Sequence, residues 1–165
     1  MNKVVIIEDN VSLSIALKEV INAADNFTVI QSYLNAENAI INFKEDSPDI
    51  VLMDIELPKL NGIEATKKLK EIKPCLLVLV VTVYEDSETV FDALCAGASG
   101  YLTKNASSTQ IVNALNELVS GGAPMSIKIA RMVVSSFKKE THADLSERET
   151  EVLTLLSTGK SYKSI

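Results

Sequence analysis

Apolar positions along this chain fall into two alternating patterns. Short, continuous, β-branched runs occur at VVII (4–7), FTVIQSY (27–33), DIVLM (49–53), LLVLVV (76–81) and GYL (100–102). Unbroken apolarity, without polar residues at every second place, marks strands covered on both faces, as in a parallel sheet. Between the runs the spacing becomes helical. Leu13, Ala16, Leu17, Val20, Ile21 and Ala24 make one stripe, and Ile111, Ala114, Leu115, Leu118 and Val119 make another. The punctuation agrees: Pro58 and Asn61-Gly62 precede a helix, Gly97 can end the helix that starts near Ser87, and SSTQ (107–110) fits a capping box with Ser107 as the cap.

Five strands alternating with five helices therefore fill residues 1 to about 120. Right-handed crossovers make this a doubly wound α/β domain. SGGAP (120–124) then breaks the chain, and a helix from Ser126 to about Lys139 is predicted, with Ala130, Val133, Val134 and Phe137 on one face. KKETHAD follows as a linker, and SERE, starting at Ser146, offers a second capping box. His142, the single histidine, lies in that linker and is given no role.

Composition narrows the partners. The 165 residues are 47% hydrophobic with a mean hydropathy of +0.18, enough for one well-filled core and a short appendage. The formal charge of −6 lies entirely in residues 1–137, where 11 basic side chains face 17 acidic ones; residues 138–165 are neutral. An acidic body is a poor partner for phosphate backbones. Cys75 and Cys95 lack metal-ligand spacing and sit among apolar neighbours, so they are expected to be reduced core residues. MNK leads straight into a strand with no signal peptide, and LLVLVV is too short to span a bilayer. A soluble, cytoplasmic protein is expected.

Candidate chemistry gathers at the strand ends, where open α/β sheets bind their ligands. Glu8-Asp9 follow the first strand, Asp54 the third, Thr82 the fourth and Lys104 the fifth. Two like charges about 4 Å apart repel by about 4 kcal/mol at an effective dielectric near 20. One lysine offsets only part of three crowded carboxylates, and a divalent cation offsets more. Oxygen donors suit Mg²⁺. A carboxylate held there can also attack phosphorus and form an aspartyl phosphate. Each residue alone has a bland reading as a strand-end cap or a solvated charge. The set, in that order, does not.

VVIIEDN, DIVLMDIELPKLNGIEA, VVT and AGASGYLTK together resemble the receiver domain of bacterial two-component response regulators, over residues 3 to about 121. The resemblance implies a flavodoxin-like sheet of order 2-1-3-4-5. It implies Asp54 as phosphoacceptor, with Asp9, Asp54 and the backbone carbonyl of Glu56 on Mg²⁺ and Glu8 acting through metal-bound water. Lys104 would pair with the phosphoryl group and Thr82 hydrogen-bond it. Tyr101 would change rotamer on activation, and Pro58 and Gly62 would shape the acceptor loop. It implies a sensor histidine kinase as partner and allows a phosphorylation-dependent homodimer.

LSERETEVLTLLSTGKSYKSI is similar to the opening of a LuxR-type helix-turn-helix, as in NarL/FixJ-type regulators, with Tyr162 where many relatives carry Asn. The expected organisation is a receiver over 1–121, a helical linker over 122–144 and an incomplete helix-turn-helix over 145–165. On this reading the full protein regulates transcription at promoter DNA, while this chain lacks the recognition helix. It is a signalling acceptor, an enzyme only toward its own Asp54. The alternative is a phosphatase or phosphotransferase of the haloacid-dehalogenase type, which uses a D-x-D pair; here the run is Asp54-Ile55-Glu56. A flavin carrier on the same fold would need an anion loop where EDNVS is acidic.

Overall fold

The computed structural model describes residues 1–140, with side chains up to Ser136. Its strands are β1 (Asn2–Ile7), β2 (Phe27–Tyr33), β3 (Ile50–Met53), β4 (Leu77–Thr82) and β5 (Gly100–Thr103). Its helices are α1 (Val11–Asn22), α2 (Ala36–Asp46), α3 (Gly62–Ile72), α4 (Ser87–Cys95), α5 (Ser108–Val119) and α6 (Ile127–Glu140). All strand pairs are parallel, in the order β2-β1-β3-β4-β5 expected of a flavodoxin-like receiver.

The continuous apolar runs are explained by the pleat. Val4 and Ile6 of β1 face a core with Leu17 and Ile21 of α1 and Leu115 and Leu118 of α5. Val5 and Ile7 face the opposite core, with Phe43 of α2 and Leu69 of α3. A strand covered on both sides has no polar alternate positions to show. A third cluster joins Val90 and Ala93 of α4 to Val80, Tyr101 and Ile129.

Helix starts are set by side-chain caps. Asn10, Asn35, Asn61 and Asp86 each accept the amide three residues on, and Ser107 with Gln110 makes the expected reciprocal box. Gly97, at φ 104, follows α4 as anticipated.

Two expectations are corrected. Cys75 and Cys95 are free but exposed. Cys75 sits in the turn before β4 and Cys95 on the outer side of the last residue of α4, so apolar sequence neighbours did not bring burial. The buried position of α6 is Ile129, with Met132 and Val133 packed beside it, whereas Val134 is 59% exposed. The side chain of Phe137, together with His142, the SERE box, Tyr162 and the expected helix-turn-helix start, lies outside the described residues. The chain divides into two compact units, Met1–Val133 and a second from Val134, of which the end of α6 is described. Among the described residues no helix is long and apolar enough to cross a membrane.

Candidate functional site

Register builds the site. Ile7 and Met53 are partners across β1 and β3, and the Asp54 amide donates to the Ile7 carbonyl at 3.0 Å. The residues that follow, Glu8 and Asp54, are thereby set side by side at the C-terminal edge. Thr82 ends β4, and the Lys104 amide donates to its carbonyl at 2.8 Å. The four strand ends named from sequence thus meet on one edge of the sheet.

Lys104 is the local cation. Its Nζ lies 2.8 Å from Asp54 Oδ2 and 2.9 Å from each Glu8 oxygen. Asp54 and Glu8 are both 2% exposed. Burial pushes the Glu8 carboxyl upward, against the hydrogen bonds from Lys104 and the Asn10 amide. Burial works to lower the Lys104 ammonium, but its bonds to Asp54 and Glu8 win and raise it on balance. It therefore stays charged.

Carboxylate oxygens of Glu8, Asp9 and Asp54 lie within 4.8 Å of one another, and Asp9 is exposed. Three carboxyl groups face one ammonium, an acidic excess that a divalent cation can balance. Asp54 Oδ1 is buried without a partner, while Oδ2 is held by Lys104. An orphaned buried carboxylate oxygen beside two further hard oxygen donors fits Mg²⁺. Thr82 Oγ1 is likewise buried and unpaired. Tyr101 is fully buried, and its hydroxyl donates to the Tyr84 carbonyl at 2.9 Å. Burial raises the phenol, so it stays a donor.

The loop after Asp54 is held from several sides. The Leu57 and Gly62 amides both donate to the Ile55 carbonyl at 3.0 Å. A Cβ on Gly62 would lie 2.0 Å from the Asp54 carbonyl oxygen, so only glycine fits there. Lys59 takes a left-handed φ of 66, and the next amide, Leu60, donates to Glu37 Oε1 at 3.1 Å. Glu56 and Pro58 lie on this loop with exposed side chains, and Glu56 is outside the carboxylate cluster. Glu56, the position of the second acid in a D-x-D pair, therefore stands outside the cluster that holds Asp54.

Two parts of this arrangement escaped sequence reasoning. Glu37 was missed because nothing marks an α2 side chain as the acceptor of a loop amide 23 residues later. Tyr84 was missed because its backbone carbonyl, not its side chain, meets Tyr101.

Comparison with known proteins points the same way. The family model described as "Response regulator receiver domain" matches residues 4–116. The transcriptional regulatory protein LnrK of Bacillus subtilis (strain 168) is 34% identical over 178 residues, covering 100% of this chain and 81% of LnrK. The transcriptional regulatory protein DegU of Brevibacillus brevis is 30% identical over 183 residues, covering 99% of this chain and 78% of DegU. A LuxR-family two-component response regulator from Aurantimonas sp. SI85-9A1 superposes with a TM-score of 0.77 at 28% identity, over 82% of this chain and 97% of that one.

Proposed function

As the chain belongs to the response regulator receiver domain family, we propose that Asp54 is its phosphoacceptor and that a sensor histidine kinase is the donor. One Asp54 oxygen forms the new P–O bond as the P–N bond to the kinase imidazole breaks, and the ring nitrogen leaves with the electron pair. The observation that carries this reading is the split environment of one carboxylate, with Oδ2 held by Lys104 and Oδ1 buried and unpaired.

Asp9, Asp54 and the Glu56 carbonyl would hold Mg²⁺, with Glu8 reached through water; when bound, the ion neutralises charge on the transferring phosphoryl oxygens. Lys104 moves from carboxylate partner to phosphoryl partner, a charge-assisted bond in a partly desolvated site. Thr82 donates its hydroxyl to a phosphoryl oxygen, and Tyr101 changes rotamer in response. The chain acts on its own Asp54 and turns over no external phosphomonoester.

In this reading residues 1–121 are the receiver, 122–144 a linker and 145–165 the start of a LuxR-type helix-turn-helix. The output is control of transcription, and a cytoplasmic setting suits two exposed free thiols. With Mg²⁺ and acetyl phosphate, intact-mass analysis should find one phosphoryl group on wild type and none on Asp54→Asn. Equal labelling of the two would overturn the assignment.

A further inference from the structure

The loop between β3 and α3, residues 54–61, is pinned near both ends by one acceptor, the Ile55 carbonyl, which takes the Leu57 and Gly62 amides. Between those pins the chain turns through Lys59, whose φ of 66 lies in the left-handed region that a side chain adopts only at a cost. The turn is met from outside the loop. The Leu60 amide that follows it donates to Glu37 Oε1 of α2 at 3.1 Å. Leu57 and Leu60 pack in the same core as Ala36 and Ala39 of α2, so apolar contact and hydrogen bond hold this stretch against one helix.

Glu37 lies in the first turn of α2, just past the Asn35 cap, where the positive end of the helix favours a carboxylate. Its own amide, against the pull of burial, holds its carboxyl below the ordinary range, helped by the Leu60 amide and the ammoniums of Lys59 and Lys68. Glu37 is therefore an ionised acceptor at neutral pH, and such a bond is stronger than one to a neutral partner.

We infer that Glu37 is a positioning residue for the metal side of the acceptor site: through the Leu60 amide it fixes the loop that presents the Glu56 carbonyl to Mg²⁺. The inference rests on the phosphoacceptor reading of Asp54, in which that carbonyl is the neutral donor. Mg²⁺ demands near-octahedral geometry, so a donor on a loose loop is a poor one. Loss of a partner that orients a metal ligand costs about 10- to 100-fold in affinity. The route runs through a backbone amide, so an acceptor of the right length at position 37 is what the site needs. An uncharged one keeps the bond in weaker form, and a charged one that is too short does not keep it.

The test uses the full chain, with Mg²⁺ as the probe. In calorimetric titration Glu37→Ala should bind the ion about tenfold more weakly than wild type. Glu37→Asp, one methylene shorter, should lose affinity as the Ala variant does, and Glu37→Gln should recover most of it. Without the ion, hydrogen exchange at the Leu60 amide should quicken in the Ala and Asp variants and much less in the Gln variant. Circular dichroism checks that all three fold. Labelling of Asp54 by acetyl phosphate should slow in Glu37→Asp at limiting Mg²⁺ and recover when the ion saturates, a split that a general loss of stability does not produce. Unchanged Mg²⁺ affinity in Glu37→Asp would overturn the inference, as would a loss in Glu37→Gln equal to that in Glu37→Ala, which would assign the effect to charge. Asp54→Asn labelled as fully as wild type would instead overturn the acceptor reading, and the inference with it.

Discussion

Lys104 Nζ lies 2.8 Å from Asp54 Oδ2 across a sequence separation of 50 residues, and the same nitrogen holds Glu8. Both carboxylates are buried, while Lys104 keeps 19% of its side chain exposed. Removing a cation from buried partners leaves uncompensated charge, which typically costs about 3–5 kcal/mol. Lys104→Met should therefore lose stability of that order in urea unfolding without divalent ions. Mg²⁺ should return more stability to the variant than to wild type, since it supplies the missing charge and binds the folded state. A variant as stable as wild type in chelator would refute this account.

The unpaired Thr82 hydroxyl makes the opposite forecast. An unsatisfied buried donor costs about 1–3 kcal/mol, and replacing it by a methyl of the same shape removes that cost. Thr82→Val should be as stable as wild type or more so by about 1 kcal/mol, while Asp54 phosphorylation no longer alters exchange in residues 84–105. Mg²⁺ binding should be nearly unchanged, because the charged oxygen donors are the carboxylates of Glu8, Asp9 and Asp54, which the substitution leaves in place. Calorimetric Mg²⁺ titration and thermal melts together check both halves. Loss of metal affinity on the scale of Asp9→Ala would contradict this separation of roles.

Gly62 is a steric matter. A Cβ 2.0 Å from the Asp54 carbonyl oxygen meets backbone, which cannot rotate aside. Gly62→Ala should cost about 3 kcal/mol or more, the upper part of the overpacking range. If Asp54 is the phosphoacceptor proposed above, its labelling should fall as well, because the loop and Asp54 share that contact. Denaturant melts and acetyl phosphate labelling give the two readouts. A fully stable, fully labelled variant would show that the loop yields easily.

Most of the fold was legible because each side of the sheet has its own apolar set. Val4 and Ile6 go one way and Val5 and Ile7 the other, so the run VVII carries both cores. The site was legible for a related reason. In a parallel sheet the residues just past each strand share an edge, so Glu8, Asp54, Thr82 and Lys104 were bound to be neighbours once the order was known. What stayed hidden depends on approach between distant elements. The bond from Leu60 to Glu37 needs the left-handed turn at Lys59, and the pair Lys128–Glu85 needs α6 to fold back onto the β4–α4 loop. Apolar periodicity in α6 put Ala130, Val133 and Val134 on one face; Val133 does pack on the third cluster, yet Val134 is exposed and Ile129 is the residue buried there.

Asp86 gives a pH-dependent forecast. Its carboxylate accepts the Thr89 amide at 2.9 Å and caps α4 where the β4–α4 loop ends. Hydrogen bonds from the Thr89 amide and hydroxyl hold its pKa below the ordinary 3.8, so the folded state favours the ionised cap. A carboxyl with a depressed folded pKa contributes stability above the unfolded value and loses it as pH falls through the folded one. Solvent screening at this exposed position keeps the size to that of an ordinary cap, about 1 kcal/mol. Asp86→Ala should therefore lose about that much at pH 7, and the gap to wild type should narrow below 3.8. Asp86→Asn, which keeps an acceptor but no charge, should hold most of the stability without that acid dependence. Urea melts at neutral pH and below pH 3.8 decide it, and a gap between wild type and the Ala variant that is constant with pH would show that the Asp86 charge plays no part.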